Sequence, residues 1–293
     1  MAPNTSASAH GWRCSASTIW CSGWSVTPSS TSCSRTRDGS ARDRMRAPGL
    51  RTLAIATTVT LLAGYALAFF YAPLEVEGFI QKIFYLHVPL AVVALVGFIV
   101  AAVYAIQHLR KDDARYDAKS YVAIHMSVIF GTGALLTGAL WAKGQWGVWW
   151  EWREPTLVSF LIIFLLYATY YPLRYAVEDR DRQARYASVF AITAGAFVPL
   201  NFLAVRLAEP FIHPRTFSSA GGLPPEMLQS FLVCLLGMGL LWATLVRFEL
   251  GAKAASADLG RLRRALDPES ERPAGPRRSA APVAVSATEG NAQ

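Results

Sequence analysis

The uncharged stretch TLAIATTVTLLAGYALAFFY, which runs from Thr52 to Tyr71, decides the fold class of this chain. A helix of about 20 apolar residues is long enough to cross the ~30 Å hydrocarbon core of a bilayer. Five more apolar runs of similar length follow, at residues 87–107, 121–142, 156–174, 187–208 and 229–247. The sequence therefore predicts an all-α membrane protein with six transmembrane helices.

Composition and charge support this class and set its orientation. The chain is 53% hydrophobic and only 16% charged, which is too apolar for an ordinary soluble domain. Its net charge of +8 comes from Lys and Arg placed mainly in the tails and in the loops after the second and fourth spans. That distribution follows the positive-inside rule, so we expect the lipid bilayer, and no nucleic acid, as a partner. Both termini are predicted to be cytoplasmic, and the loops 72–86, 143–155 and 209–228 to face the periplasm.

Three segments follow from these patterns. Residues 1–44 are rich in Ser, Thr and Arg without periodicity and are predicted to be a disordered tail, with Met45 as a natural start. Residues 45–250 form the predicted membrane domain. Residues 251–293 are rich in Ala, Pro, Arg and Ser and are predicted to be a disordered cytoplasmic tail. The four cysteines form no C-x-x-C pair, so the chain is neither an obvious thiol relay nor a c-type cytochrome.

The segment WGVWWEW, at residues 146–152, places four indoles in seven residues of a predicted periplasmic loop. One or two interfacial Trp residues usually anchor a protein in the membrane, but four together indicate a flat apolar ligand to cover. If the segment is helical, Trp146, Trp149 and Trp150 share a face. If it is extended, Trp146, Trp150 and Trp152 do so.

Two histidines flank this loop in the predicted topology. His87 begins the second span and His213 lies in the third periplasmic loop. A single His at the end of a span is usually a polar cap, but two on the same side as the Trp loop suit the axial positions of a haem iron. The propionates of a haem need cations, and four lie near enough in the predicted topology: Lys143, Arg153, Arg206 and Arg215. Arg206, at the periplasmic end of a span, is the strongest candidate. His125 lies near the cytoplasmic end of its span, and we interpret it as structural rather than as part of an access route.

The order of an outward His, a W-G-x-W-W-x-W loop and a second outward His on six spans resembles the haem exporter protein C type of the Trp-rich (WWD-motif) cytochrome c biogenesis proteins. The resemblance covers roughly residues 50–247. It implies that His87 and His213 are the axial ligands of haem b, iron protoporphyrin IX. It also implies that a docking loop surrounds the haem, to which we assign Trp146, Gly147, Trp149, Trp150, Trp152 and Arg153, with Arg206 nearby.

The resemblance further implies a function. Haem would be held at the periplasmic face of the cytoplasmic membrane and handed to a periplasmic haem chaperone for c-type cytochrome maturation. An ABC-type transporter complex would then release the loaded chaperone. One residue departs from the family pattern, because Arg153 stands where an Asp usually follows the last Trp. Either Glu151 or Glu154 supplies the missing acid, or Arg153 meets a propionate directly.

Two other interpretations stay open at this point. A haem lyase of the single-complex assembly route shares the Trp loop, but it usually has more spans and more membrane-buried histidines. A plain transporter subunit would use the tryptophans as anchors, but the chain has no visible internal repeat. The sequence contains no evident acid–base or nucleophile arrangement, so we expect a carrier of haem more than an enzyme.

Overall fold

A computed structural model describes residues 12–14, 33–35, 48–75, 78–208, 212–213 and 222–266. The prediction of six spans is confirmed, because six helices are long and apolar enough to cross a membrane. These candidate spans are Gly49–Tyr71, Gly78–Lys111, Ala114–Trp146, Pro155–Tyr175, Arg180–Leu203 and Pro225–Leu266. The all-α class of the membrane domain is confirmed with them.

The helices of the membrane domain are α1 (Pro48–Ala66), α2 (Phe84–Lys111), α3 (Ala114–Trp146), α4 (Pro155–Ala168), α5 (Tyr170–Tyr175), α6 (Arg180–Leu207) and α7 (Pro225–Leu266). A π-helical turn, Leu67–Tyr71, extends α1, and a 3-10 turn, Gly78–Ile83, leads into α2. Two three-residue strands, Trp12–Cys14 and Cys33–Arg35, pair antiparallel within the N-terminal segment. The rest of the predicted disordered tail, residues 1–44, lies outside the described residues.

The fourth span is divided into two helices where the sequence predicted one. α4 ends at Ala168, Thr169 separates it from α5, and Pro172 lies inside α5. Proline lacks a backbone N–H, and its ring clashes with the carbonyl four residues earlier, which here is that of Ala168. The break therefore has a local cause, and the two helices together still have the length of one span.

The last helix continues past the membrane domain. The chain divides into two compact units, Met1–Leu250 and Gly251–Gln293. In the second unit α7 extends to Leu266, so residues 251–266 are helical although composition placed them in a disordered tail. The Ala, Leu, Lys and Arg residues of this stretch are strong helix formers, and they outweigh its polarity. The remainder of the predicted tail, residues 267–293, lies outside the described residues.

Close approach between helices holds the membrane domain together. The ring of Phe98 on α2 stacks on Tyr167 of α4, with centroids 3.7 Å apart and planes 7° from parallel. Between α3 and α7, the indole N–H of Trp242 donates to the Ser127 hydroxyl at 3.2 Å. Leucines such as Leu62 and Leu136 are 67% and 63% exposed on the outside of the bundle, as side chains that face lipid should be.

A polar cluster joins α3 to α5 at the end of the bundle opposite His87. The guanidinium of Arg174 donates to both carboxylate oxygens of Asp117, at 2.8 and 2.6 Å, and to the Tyr170 hydroxyl at 2.9 Å. Nearby, Nδ1 of His125 lies 3.0 Å from the Tyr171 hydroxyl. His125 therefore has a hydrogen-bonding partner on a neighbouring helix, which agrees with a structural role.

Candidate functional site

One cavity, of about 240 Å³, brings together residues from four separate parts of the sequence. Of the residues singled out above, His87, His213, Trp146 and Trp150 line it. Most of the other lining residues are apolar. The lining also includes one glycine and two polar residues, Gly138, Thr156 and Asn201. The second span, the Trp loop and the loop between the last two spans thus meet at one end of the bundle.

His87 is fixed by α3. Its Nδ1 lies 2.9 Å from the carbonyl oxygen of Ala134 and 3.2 Å from the hydroxyl of Thr137. A carbonyl can only accept, so Nδ1 must carry the proton and Nε2 must carry the lone pair. The described residues provide no hydrogen-bond partner for Nε2. The arrangement therefore prepares a neutral imidazole whose Nε2 can coordinate a metal.

Gly138 allows this position of His87. A Cβ atom added to Gly138 would lie 2.7 Å from Cε1 and 3.3 Å from Nδ1 of the imidazole. The first distance is shorter than van der Waals contact permits, so any larger residue would displace the ring. Gly138 lies one helical turn after Ala134, and the imidazole occupies the space that these two small residues leave open.

His213 lies on a loop, beside two indoles that contact each other. Its ring centroid is 6.4 Å from that of Trp141 and 6.3 Å from that of Trp146. The two indoles themselves pack edge to face, with centroids 5.0 Å apart. Both belong to the last turns of α3, so the helix that holds His87 also provides the aromatic contacts of His213.

Glu154 connects the Trp loop to the loop that carries His213. It is the N-cap residue of α4 and is 0% exposed. One carboxylate oxygen accepts from the Thr156 N–H at 3.3 Å, and the other accepts from Ile212 and His213 at 2.9 and 3.1 Å. Burial by itself raises the pKa of Glu154, but these N–H groups lower it further and leave it below the ordinary value. The carboxylate therefore stays ionised at neutral pH.

The Trp loop is neither fully helical nor a simple extended strand. α3 ends at Trp146, and Gly147 caps it with a φ of 75°, a left-handed conformation that favours glycine. After this turn Trp150 faces the cavity, whereas Trp149 and Trp152 are 58% and 70% exposed. Trp152 instead packs against Trp150, with ring centroids 6.0 Å apart. Trp146 and Trp150 line the cavity together, as both alternatives expected, but neither Trp149 nor Trp152 joins them.

Trp150 also brings an unusual polar atom to the site. Its indole Nε1 is buried, and no hydrogen-bond partner is present for it among the described residues. Buried donors are normally paired, so an unpaired one in a cavity wall points to a ligand that accepts a hydrogen bond. The hydroxyl of Thr156 and the amide of Asn201 are further polar groups in the same wall.

The predicted cations occupy different positions. Arg153 is exposed and forms an ion pair with Glu151 at 3.1 Å. The Glu151 carboxylate is therefore paired within the Trp loop. The guanidinium of Arg206 lies 5.0 Å from the centre of the Phe202 ring, and Phe202 lines the cavity. The structure therefore places Arg206 beside a wall of the cavity and Arg153 on the surface of the Trp loop.

Sequence reasoning missed several residues of this site. Trp141 was not singled out, although it is an indole at the end of a predicted span, shortly before the Trp loop. Asn201 was not singled out either, although an amide within an apolar run is a polar signal. Nothing in the sequence marked Gly138 as a contact of His87. No pattern in the sequence reveals the link from Glu154 to His213, because the two residues are 59 positions apart.

Comparisons with known proteins agree on one family. The family profile described as Heme exporter protein C matches residues 38–264. A protein of that name from Rhodobacter capsulatus is 30% identical over 210 residues, which cover 69% of this chain and 86% of the relative. Its namesake in Paracoccus denitrificans is 35% identical over 141 residues, covering 47% and 56%. The one from Escherichia coli K12 is 29% identical over 194 residues, covering 66% and 78%.

The contact between Gly138 and His87 can be tested on the protein alone. We expect Gly138→Ala to lower the free energy of unfolding by about 1–3 kcal/mol, because the new methyl group must displace the imidazole from Ala134. The measurement is thermal or denaturant unfolding in detergent. Gly239→Ala is the control, since a Cβ there would meet nothing within 4 Å and alanine favours a helix. Equal stability of the two variants would contradict the packing described here.

Proposed function

The chain belongs to the heme exporter protein C family, and we propose that it binds haem at the periplasmic face of the membrane and delivers it to a periplasmic haem chaperone for c-type cytochrome maturation. It is a multi-pass inner-membrane protein with six spans. The observation that carries the proposal is that His87 and His213 line one cavity together with Trp146 and Trp150.

The two imidazoles can supply the two iron ligands that the porphyrin does not provide. The porphyrin of haem b fills four positions around the iron and leaves two axial positions, for which neutral imidazoles are good ligands. His87 can coordinate through Nε2, because its Nδ1 proton is directed to the Ala134 carbonyl. His213 is the second ligand in this proposal. Coordination of this kind is exchangeable, as a carrier that must release its cargo requires.

The aromatic walls match the porphyrin plane. Trp146, Trp150 and Trp141 give the cavity flat apolar surfaces, which suit a large conjugated ring. The volume of about 240 Å³ is smaller than a typical site that encloses a whole drug-sized ligand, so the cavity accommodates one edge of the haem. The rest of the haem would then stay accessible to a partner.

Polar groups near the cavity can bind the haem propionates, and exposed indoles are available to the chaperone. A propionate could accept a hydrogen bond from the unpaired Nε1–H of Trp150. Arg206 supplies positive charge over the ring of Phe202, which also lines the cavity. Trp149 and Trp152 project outside the cavity and are exposed. We assign them to contact with the chaperone or with the membrane surface. The transporter subunits that release the loaded chaperone are assigned as partners on the family resemblance alone.

Orientation of the site follows from charge. Lys and Arg are concentrated at both ends of the chain and in the loops after the second and fourth spans. This bias supports cytoplasmic termini and a periplasmic location for the loops that carry the site. Transfer of haem from such a site needs binding and orientation of the cargo by these residues, and their part in any bond to the chaperone is positioning.

We expect His87→Ala and His213→Ala each to weaken haem retention by at least about tenfold, and the double variant to purify without a haem spectrum. Loss of an outer-shell partner alone costs 10–100-fold in metal affinity, and an axial ligand contributes more. Absorption spectra of the detergent-solubilised proteins, with and without added haem, measure this. His108→Ala is the control, because His108 bonds to the Asp113 carbonyl away from the cavity. A normal spectrum in the double variant would end the proposal.

The variant Trp150→Phe removes the indole N–H but keeps an aromatic ring at this position. Because that N–H has no partner among the described residues, its removal should change the free energy of unfolding by less than about 1 kcal/mol. Haem affinity should fall by roughly tenfold. Trp242→Phe is the matched control, since it breaks the bond to Ser127 far from the cavity and should alter stability without altering haem affinity. The reverse pattern would contradict the assignment of Trp150.

Delivery distinguishes the carrier from a haem lyase. We expect the haem-loaded protein to co-purify with the small periplasmic haem chaperone and to pass haem to it, and His213→Ala to reduce that transfer strongly. Haem staining of the chaperone after denaturing electrophoresis reports a stable bond. Preferential capture of apocytochrome, with haem attached to it directly, would favour the lyase instead.

A further inference from the structure

The carboxylate of Glu154 has a second task beyond starting a helix. We propose that Glu154 is a positioning residue that sets the place of the His213 imidazole by binding the backbone of its loop. This inference rests on the proposed function, in which His213 is an axial ligand of haem. It assigns the role of the missing acid to Glu154.

The geometry constrains His213 directly. One oxygen of Glu154 accepts from two consecutive N–H groups, those of Ile212 and His213, at 2.9 and 3.1 Å. Two donors that converge on a single acceptor fix the orientation of the peptide between them. The Cα atom of His213 lies at the edge of that peptide, so the point from which the imidazole projects is restrained as well. Bonds from backbone N–H to an ionised carboxylate are among the stronger hydrogen bonds in proteins.

A capping role alone does not explain a glutamate here. Ser, Thr, Asp and Asn are the preferred N-cap residues, because their short side chains reach the first N–H groups of the helix. Glu154 uses one oxygen for Thr156 and directs the other to a loop 58 and 59 residues later in the chain. The additional methylene of Glu thus supplies reach that a cap does not need.

Full burial indicates that the contact is important to the fold of the site. Glu154 is 0% exposed, and a buried carboxylate is costly unless hydrogen bonds compensate for the lost water. Three backbone N–H groups and the N-terminus of α4 provide that compensation. In return, the carboxylate connects the segment that carries Trp150 to the segment that carries His213.

The two histidines are positioned by different kinds of contact. His87 is part of α2 and bonds to α3 through the Ala134 carbonyl. His213 lies outside any helix, and the described contacts of its ring are with Trp141 and Trp146. The backbone N–H of His213 donates to Glu154, which belongs to a different segment of the chain. The placement of the His213 loop therefore involves a residue outside that loop.

The first test needs no haem. Hydrogen–deuterium exchange of the haem-free protein in detergent measures protection of the Ile212 and His213 amides. We expect Glu154→Gln and Glu154→Asp to speed that exchange by roughly tenfold or more. Asp keeps a good N-cap for α4 but is one methylene shorter, so it separates the cap from the link. Glu151→Gln is the matched control, because Glu151 pairs with Arg153 instead.

The second test uses the haem-loaded protein. With both imidazoles bound, the iron should give a six-coordinate, low-spin absorption spectrum. In Glu154→Gln and Glu154→Asp we expect a partial shift to five-coordinate, high-spin haem, and added free imidazole should restore the low-spin form. His213→Gly is the reference for this rescue. Glu151→Gln should keep the low-spin spectrum without imidazole.

The outcomes separate the inference from the proposed function. If the wild-type chain takes up no haem, the proposed function fails, and this inference fails with it. If the wild type binds low-spin haem and both Glu154 variants exchange the two amides as slowly as it does, only the inference is overturned. Faster exchange with an unchanged low-spin spectrum overturns it too, because the link would then not position the iron ligand.

Discussion

The hydrogen bond from His87 Nδ1 to the carbonyl oxygen of Ala134 is the interaction on which the site depends most. It joins α2 to α3 at 2.9 Å, and it decides which imidazole nitrogen keeps a lone pair. Within a bilayer that carbonyl belongs to a helix, so it is a rigid acceptor that neither water nor a loop can displace. Gly138 completes the arrangement by leaving room for the ring. The remaining parts of the site are then built around an imidazole whose place is already fixed.

The end of α3 extends this organisation to the rest of the cavity. Its last turns carry Trp141 and Trp146, both of which contact the His213 ring. The left-handed cap at Gly147 then turns the chain so that Trp150 returns to the cavity wall and Glu154 reaches the start of α4. A single continuous segment, from the middle of α3 to the N-cap of α4, therefore contacts both histidines. This explains how the start of α2 and two loops that are far apart in the sequence form one site.

Periodicity and charge predicted the membrane fold well, because the bilayer imposes a length on every span and an asymmetry on the loops. Periodicity and charge did not predict the features of the helices that have a local cause. Pro172 divides the fourth span, and strong helix formers extend α7 to Leu266. For the site, the residue types at His87, His213, Trp146 and Trp150 were enough to select them. The roles of Gly138 and Glu154 could not be predicted, since a close approach and a backbone contact across 59 positions leave no pattern in a single sequence.

A carrier must hold haem and also release it, and in the proposed function the two histidines would divide these tasks unequally. His87 lies on a helix and is bonded to a neighbouring helix, so moving it would disturb the packing of α2 against α3. His213 lies on a loop, and its backbone is held through one carboxylate. In the proposed function, an incoming ligand from the chaperone could replace His213 while the six-helix bundle stays intact. In that proposal, the same asymmetry would give haem a fixed side, towards His87, and an exchangeable side, towards the loop of His213.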